Sequence, residues 1–343
     1  MTRTCCALPV FSIVVPTFNE ERNLPLLHAR TAAVMQSLGE PWELVLVNDG
    51  SHDRTLEVMQ GLRDRDPHIA IVNLSRNFGK EIATTAGLDH AHGDAVIVVD
   101  ADLQDPPELI PEMVAAWHRG FDTVYAQRRY RHGETWLKRA TAAAFYRVLQ
   151  RSTSMPIPRN TGDFRLMSRR VVNALAKVRE RHRFMKGLFA WVGFSSCAIS
   201  YDRQPRHAGR TAWNYWKLWN FAVEGITSFT TLPLRVATYL GLLVGLGSTV
   251  FLLQLLVRTL IFGNEVPGYP SLMAVVLFLG AAQLVTLGVI GEYLGRVFEE
   301  VKQRPLYLIS QYLPSEYLPN EYPPNEPDTG QPDAASLEFA ARN

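Results

Sequence analysis

Residues 96–108 read VIVVDADLQDPPE, and this stretch decides the fold. Val96, Ile97, Val98 and Val99 are consecutive β-branched residues, which suits a strand buried on both faces, as in a parallel sheet. The run stops at Asp100, Asp102 and Asp105, with Gln104 among them. Pro106 and Pro107 then end the strand and are able to open a helix. Open α/β sheets bind ligands outside the carboxyl ends of their strands, where these acids would lie. If the chain stays extended past Val99, Asp100 and Asp102 point to one side across the small Ala101. Two hard oxygen ligands there suit Mg2+ or Mn2+ shared with a substrate diphosphate. The competing reading of the same residues is a polar loop that caps a helix.

Working outward, the segments on the amino-terminal side alternate between strand and helix patterns. Strands are predicted at 11–15, 44–47 and 69–74. Helices are predicted at 21–38, with Asn19 as N-cap, and at 53–63 and 81–91. Such alternation implies an α/β domain with a mostly parallel, Rossmann-like sheet. Polar residues collect at successive strand ends: Asn19 and Glu20, then Asp49, then Lys80, then Asp100 and Asp102. In such a sheet these ends converge on one cleft. On the carboxyl-terminal side, 121–126 is a further strand candidate. Residues 128–139 are dense in cations (Arg128, Arg129, Arg131, Lys138, Arg139), readable either as a solvated loop or as a surface for phosphate and headgroups. Asp163, in Gly162-Asp163-Phe164-Arg165, follows a loop with Pro156 and Pro158 and precedes a helical pattern, where an N-cap is the simple reading.

The 343-residue chain has room for one large domain or two and carries a net charge of +2. From Gln311 onward six acids face one base, a net −5, which leaves +7 on the rest. A moderately basic body fits an anionic substrate or membrane surface and needs no nucleic acid to explain it. Cys5, Cys6 and Cys197 form no disulfide framework and match no zinc spacing, so a reducing compartment is the simplest reading. His90 and His92 are explained by a helix-to-strand turn rather than by metal. No signal peptide is visible, because the apolar run at 10–15 is too short and Pro16, Asn19 and Glu20 follow it.

Residues 213–229 carry Trp213, Tyr215, Trp216, Trp219, Phe221 and Phe229 with few charges, a composition favoured at lipid headgroups. Residues 236–257 and 271–291 then lack charged side chains over lengths able to span a bilayer. Arg235, Arg296, Lys302 and Arg304 flank the pair, so the positive-inside rule puts both ends in the cytoplasm. The tail repeats YLPSE, YLPNE and YPPNE from Tyr312 onward, and its proline and acid content predicts disorder. The expected organisation is a catalytic domain over 8–210, an interfacial segment over 211–234, a transmembrane hairpin over 235–309 and a disordered acidic tail over 310–343.

In order, PTFNEE (16–21), NDGSHDRT (48–55), SRNFGKE (75–81), DADLQDPPE (100–108) and GDFRLM (162–167) resemble the inverting family 2 glycosyltransferases of GT-A fold. RFMKGLFAWVGF (183–194) and NYWKLWNFAVEGITSFTTLPLR (214–235) are similar to the bactoprenol glucosyltransferases among the polyprenyl-phosphate hexosyltransferases. More distantly the chain resembles dolichyl-phosphate mannose synthases. The resemblance covers roughly 10–309. It implies transfer of a hexose, with glucose favoured, from a UDP-sugar to a polyprenyl phosphate such as undecaprenyl phosphate. That reaction would be inverting and dependent on Mg2+ or Mn2+.

By resemblance, Pro16, Phe18, Glu20, Val47 and Asp49 hold the nucleotide base and ribose, and Lys80 joins this nucleotide-sugar set. Asp100, Ala101, Asp102 and Gln104 hold the metal and the donor diphosphate, which Arg206 also contacts. Asp163 falls where the family places its candidate catalytic base. Arg129 and Arg139 are candidates for the lipid phosphate. Asn48 stands where an Asp is common. Ala212 stands where a Lys is usual, with Arg210 as the candidate replacement. The family also implies the bacterial cell membrane, a cytoplasmic catalytic domain and a homo-oligomer, with tetramers among its members.

Three other classes share parts of this pattern. A processive polysaccharide synthase would need more spans and a downstream QxxRW sequence, and neither is found. A non-enzymatic scaffold on the same fold would be expected to have lost Asp100, Asp102 or Asp163, and all three are present. A flippase would need more than two spans per chain unless chains assemble.

Overall fold

The computed structural model describes residues 9–129, 161–181, 183, 185–202, 232–262 and 268–316. Arg139, Arg206, Arg210, Ala212, the aromatic segment 213–229 and the tail beyond Glu316 lie outside the described residues. The chain divides into two compact units: Met1–Thr141, Met155–Trp213 and Pro305–Asn343 in one, Ala142–Ser154 and Asn214–Arg304 in the other.

The first unit is built on one sheet of eight strands: β1 (Phe11–Thr17), β2 (Trp42–Asn48), β3 (Ile69–Leu74), β4 (Ala95–Val98), β5 (Thr123–Arg128), β6 (Thr161–Ser168), β7 (Ser196–Tyr201) and β8 (Ile309–Leu313). Their order is β7-β5-β6-β4-β1-β2-β3-β8. The centre, β3-β2-β1-β4, is parallel, as the sequence predicts. Its strands read as mostly apolar runs because helices cover both faces, and the buried polar pair among them is closed by a Ser12 hydroxyl donating to Glu43 Oε1 at 2.6 Å. Every residue of β1, β2 and β4 is buried.

Beside the sheet run α1 (Leu24–Leu38), α2 (Thr55–Arg63), α3 (Lys80–Asp89), α4 (Ile110–His118), α5 (Arg169–Ala176) and α6 (Met185–Trp191). Helix α3 lies close over β1 and β2. A Cβ at Gly87 would sit 2.3 Å from Val14 Cγ1 and 3.0 Å from Val47 Cγ2, so only glycine allows this approach. The close packing fixes the first turn of α3, and with it Lys80, relative to the ends of the central strands.

Several local expectations are corrected. Asn19 does not cap α1. It has φ 57°, in the left-handed region, and its Oδ1 accepts the His52 N–H at 2.9 Å, tying the loop after β1 to the loop after β2. The chain is not extended through Asp100–Asp102. It turns there, and Leu103 takes φ 59°, so alternation along a strand does not orient the two carboxylates. Asp163 is not an N-cap either. It lies on β6, which pairs antiparallel with both β4 and β5. The tail does not begin at residue 310, because Ile309–Leu313 adds to the sheet as an antiparallel strand beside β3.

The second unit contains α7 (Leu232–Phe262) and α8 (Tyr269–Val301), which enclose both uncharged stretches. Among the described residues one helical segment, Phe278–Val301, is long and apolar enough to cross a membrane, with mean hydropathy 1.3. Val236–Phe251 is a shorter apolar helix.

Candidate active site

The carboxyl ends of β1, β2 and β4 open on one side of the sheet, and the connecting loops there are bonded into a rim. Thr17 donates its hydroxyl to the Val47 carbonyl at 2.6 Å, and the Asp49 N–H returns to the Thr17 carbonyl at 2.9 Å. The Asp49 carboxylate accepts the backbone N–H groups of Phe78 (2.7 Å) and Gly79 (3.0 Å). Burial raises its pKa, opposed by these two bonds. Gly50 has φ 64°, and a Cβ there would lie 2.5 Å from the backbone of Arg76 and Asn77. The β2–α2 and β3–α3 loops therefore touch backbone to backbone.

Asn48 now has a physical reason. Its amide donates to Asn73 Oδ1 at 2.8 Å while its Oδ1 accepts the Ser51 N–H at 3.2 Å. An Asp at 48 has no N–H for Asn73.

Of the residues expected to hold the nucleotide, Pro16 and Val47 are buried within the sheet, and Asp49 anchors the rim from beneath. Phe18 stands at the rim, 40% exposed, with its ring edge-on to His52 at 5.9 Å. Glu20 receives the Asn23 amide at 2.6 Å, and its N–H donates to Thr55 Oγ1 at 2.9 Å. Phe18 is thus the most exposed member of this set.

The centre of the site is Lys80. Its ammonium lies 2.7 and 2.8 Å from the two oxygens of Asp100 and 2.5 Å from Asp163 Oδ2. Strand β6 brings Asp163 to this point. Val98, the last residue of β4, pairs antiparallel with Arg165, so Asp163, two residues before Arg165 on β6, comes to the end of the sheet where Asp100 follows β4. Burial opposes the charge on Lys80, but the two carboxylates hold its pKa well above the usual value. Burial likewise works against ionised Asp163, yet Lys80, Lys186 and Arg165 keep it well below the usual carboxylate range. Asp163 Oδ1 is buried and has no hydrogen-bond partner among the described residues. It is a free acceptor beside a fixed charge pair.

Several further residues complete the site, and Arg165, Glu81 and Asp105 among them fall inside the quoted motifs without a role assigned to them there. Arg165 is buried beneath Asp163, donates to the Gly162 carbonyl at 3.0 Å and stacks its guanidinium 3.5 Å over Phe189. Burial lowers its pKa to about 10. Glu81, next to Lys80, is pushed up to about 8 by burial and by the neighbouring Asp163. Tyr201, at the end of β7, donates to Asp105 and accepts from Arg128 Nε at 3.3 Å. Burial and nearby Asp100 raise Asp105 to about 6. Arg129 is held at the same edge by its N–H to the Tyr201 carbonyl at 3.0 Å. Nothing in the 196–201 stretch marks Tyr201 in advance, because the bond depends on β7 pairing with β5.

A divalent cation fits this donor set in a particular way. Among the described residues no group of three or more His, Cys, Asp or Glu side chains is placed to hold a metal. Mg2+ is commonly held by one or two carboxylates with substrate phosphates completing its shell. Asp100 already faces a cation in Lys80, and Asp102 is buried nearby with Oδ1 accepting the Gln104 N–H at 3.1 Å. The residues suit a cation that arrives with a diphosphate.

Comparison with known proteins agrees with this geometry. Residues 12–176 match Glycosyl transferase family 2. An uncharacterized glycosyltransferase of Synechocystis is 58% identical over 299 residues, covering 87% of this chain and 94% of its own. The bactoprenol glucosyl transferase of Shigella phage SfII is 48% identical over 302 residues, covering 88% of this chain and 97% of its own. The prophage bactoprenol glucosyl transferase homolog of Escherichia coli K12 is 46% identical, covering 88% and 98%. With its mixed sheet parallel at the centre, its acidic strand ends and this degree of identity, the chain belongs to the family 2 glycosyltransferases.

Proposed function

We propose that this glycosyltransferase moves glucose from UDP-glucose to a polyprenyl phosphate, with inversion, at the cytoplasmic face of a bacterial membrane. The observation that carries the reading is the Lys80 ammonium fixed between Asp100 and Asp163 where the sheet opens. The glucosyl and bactoprenol assignments are supported by relatives named for them that match nearly end to end.

An oxygen of the acceptor phosphate attacks the anomeric carbon, and the bond from that carbon to the UDP oxygen breaks. Phe18 offers its ring to the base. Asp100 and Asp102, with Gln104, would hold Mg2+ or Mn2+, which supplies Lewis-acid stabilisation of the leaving diphosphate. Lys80 places a second, fixed positive charge at the same point and orients Asp163. Asp163 turns its free oxygen to a sugar hydroxyl. Arg129 and Arg139 would receive the acceptor phosphate, for which the guanidinium fork is well matched. Two membrane helices, α7 and α8, with the aromatic segment before them, would hold the site at headgroup height, and a homo-oligomer would follow the family.

The test is a donor panel. Full-length protein in membranes, supplied with undecaprenyl phosphate, should transfer from UDP-glucose and bind UDP more tightly than GDP. Transfer from a GDP-sugar with none from any UDP-sugar would overturn the donor assignment.

A further inference from the structure

The tail is more regular than its acidic part alone suggests. Starting from Tyr307 the chain reads YLISQ, YLPSE, YLPNE, YPPNE, four consecutive pentads. The first two are docked on the catalytic unit. Tyr307 donates its hydroxyl to Asp89 Oδ2 at 2.7 Å, and its ring lies 6.4 Å from that of His90. Tyr312 places its ring 4.9 Å from the same His90. Residues five apart on a regular strand point to opposite faces. Here both tyrosines reach His90, Tyr312 from β8 and Tyr307 from two residues before it, and between them the pairing shifts at Asn73 and Leu74. Gln311 faces Asn73 and Ile309 faces Leu74, which leaves Ser310 as an extra residue on β8. Despite the odd spacing, both tyrosines meet the same ring. The groove therefore has two tyrosine positions separated by one pentad.

We propose that this groove is a docking site for the tail's tyrosine pentads in general, and that the tail shifts along it in steps of five. In the shifted register Tyr312 and Tyr317 take the places of Tyr307 and Tyr312.

The groove's remaining contacts tolerate that shift. The Ser75 N–H donates to the Leu308 carbonyl at 2.9 Å, Arg63 donates to the Pro314 carbonyl at 2.9 Å, and the Glu316 N–H donates to the Pro67 carbonyl at 3.0 Å. In the shifted register Leu313, Pro319 and Glu321 present the same backbone groups. Ser315 replaces Ser310 at the bulge, and Glu316 replaces the exposed Gln311. Pro314 replaces Ile309 at the irregular point of the ladder, where proline is best accepted in a strand. One substitution works against the shift: Asn320 falls on the place of Ser315, which is buried. The resident register is therefore the preferred one and the shifted register the minor one. Each step adds five residues, at most about 17 Å of extended chain, between the end of α8 and the docked tyrosines. The sheet edge stays covered throughout.

Directly opposed residues of an antiparallel pair stand close enough for a disulfide. The experiment uses the full chain with Cys5, Cys6 and Cys197 replaced by Ser. One version carries Asn73→Cys with Gln311→Cys, reporting the resident register. A second carries Asn73→Cys with Glu316→Cys, reporting the shifted one. Under mild oxidation both pairs should cross-link, the second at least tenfold more slowly. Adding Tyr317→Ala should slow the second pair a further tenfold and leave the first unchanged. Failure of the first pair would overturn the bulged register on which the proposal rests. Absence of the second disulfide, or one indifferent to Tyr317→Ala, would show that the later pentads do not use the groove.

Discussion

Asp163→Asn separates a proton carrier from a positioning group. Asp163 Oδ2 lies 2.5 Å from the Lys80 ammonium, and the side chain is 14% exposed. Burial alone would raise its pKa, but Lys80, Lys186 and Arg165 hold it well below the ordinary 3.8. The acceptor phosphate has a second pKa of about 6. Moving a proton from that phosphate to a carboxylate at 3.8 or lower is uphill by more than about two pKa units, or about 3 kcal/mol. The acceptor also becomes almost fully dianionic on its own, gaining about twofold between pH 6 and pH 8. That gain is shared by wild type and variant. Loss of a charged hydrogen bond to the sugar costs about 1.5–3 kcal/mol, which is about 10–150-fold in rate. Initial rates of both proteins at saturating donor and metal should give a ratio that stays nearly constant from pH 6 to pH 8. A ratio that falls about twofold across that range, in step with the acceptor's own deprotonation, would refute the positioning role and restore the base.

Asp102→Asn should abolish transfer and sharply weaken Mn2+- or Mg2+-dependent binding of UDP in calorimetry, whereas full activity in EDTA would remove the metal from the account. Gly50→Ala should destabilise the rim, because its Cβ would meet the Arg76 and Asn77 backbone at 2.5 Å with φ at 64°; hydrogen exchange at Phe78 and Gly79 should rise, and unchanged protection would contradict the packing. Asp122, which accepts from Arg170, Ser168 and Ser195, has its pKa lowered to about 2 from 3.8, chiefly by Arg170. A depressed carboxylate contributes stability above its unfolded value that is lost as pH falls through the folded one. Asp122→Asn should therefore cost about 1–2 kcal/mol near neutrality. Denaturant midpoints of the two proteins should converge as pH drops from about 4 towards 2, and a gap that widens on acidification would contradict the assignment.

The parallel centre of the sheet was legible because strands covered on both faces are mostly apolar, and β1 to β4 are, their polar interruptions Ser12 and Glu43 being bonded to each other. The acids at their ends were legible for a related reason. A charge directly after a fully buried strand has few places to go except an open sheet edge. What lay hidden depends on pairing between distant segments. Asp163 looked like a cap because Gly162 and the prolines before it resemble a turn, and only its pairing with β4 and β5 makes it a strand residue facing Lys80. Glu81 and Arg165 lie inside recognisable motifs, but their part in the site comes from burial beside Asp163, and Tyr201 gains its part only through its bonds to Asp105 and Arg128. The β8 segment is mostly exposed and sits against a proline- and acid-rich tail, so its composition argues for disorder. Its order comes from Asp89, His90 and the free edge of β3. A chain cut after Gly209 would keep every nucleotide motif and leave the β3 edge that β8 covers open.

The central claim is glucosyl transfer from UDP-glucose to a polyprenyl phosphate, and the mass of the lipid product tests it most directly. Membranes carrying the full chain would be incubated with undecaprenyl phosphate, UDP-glucose and Mn2+ or Mg2+, and the lipids extracted for mass spectrometry. The account predicts the acceptor's mass plus one hexose residue, with a single phosphate retained, and its loss on Asp102→Asn. A product carrying two phosphates, a growing polysaccharide, or an unmodified lipid alongside consumed UDP-glucose would contradict it.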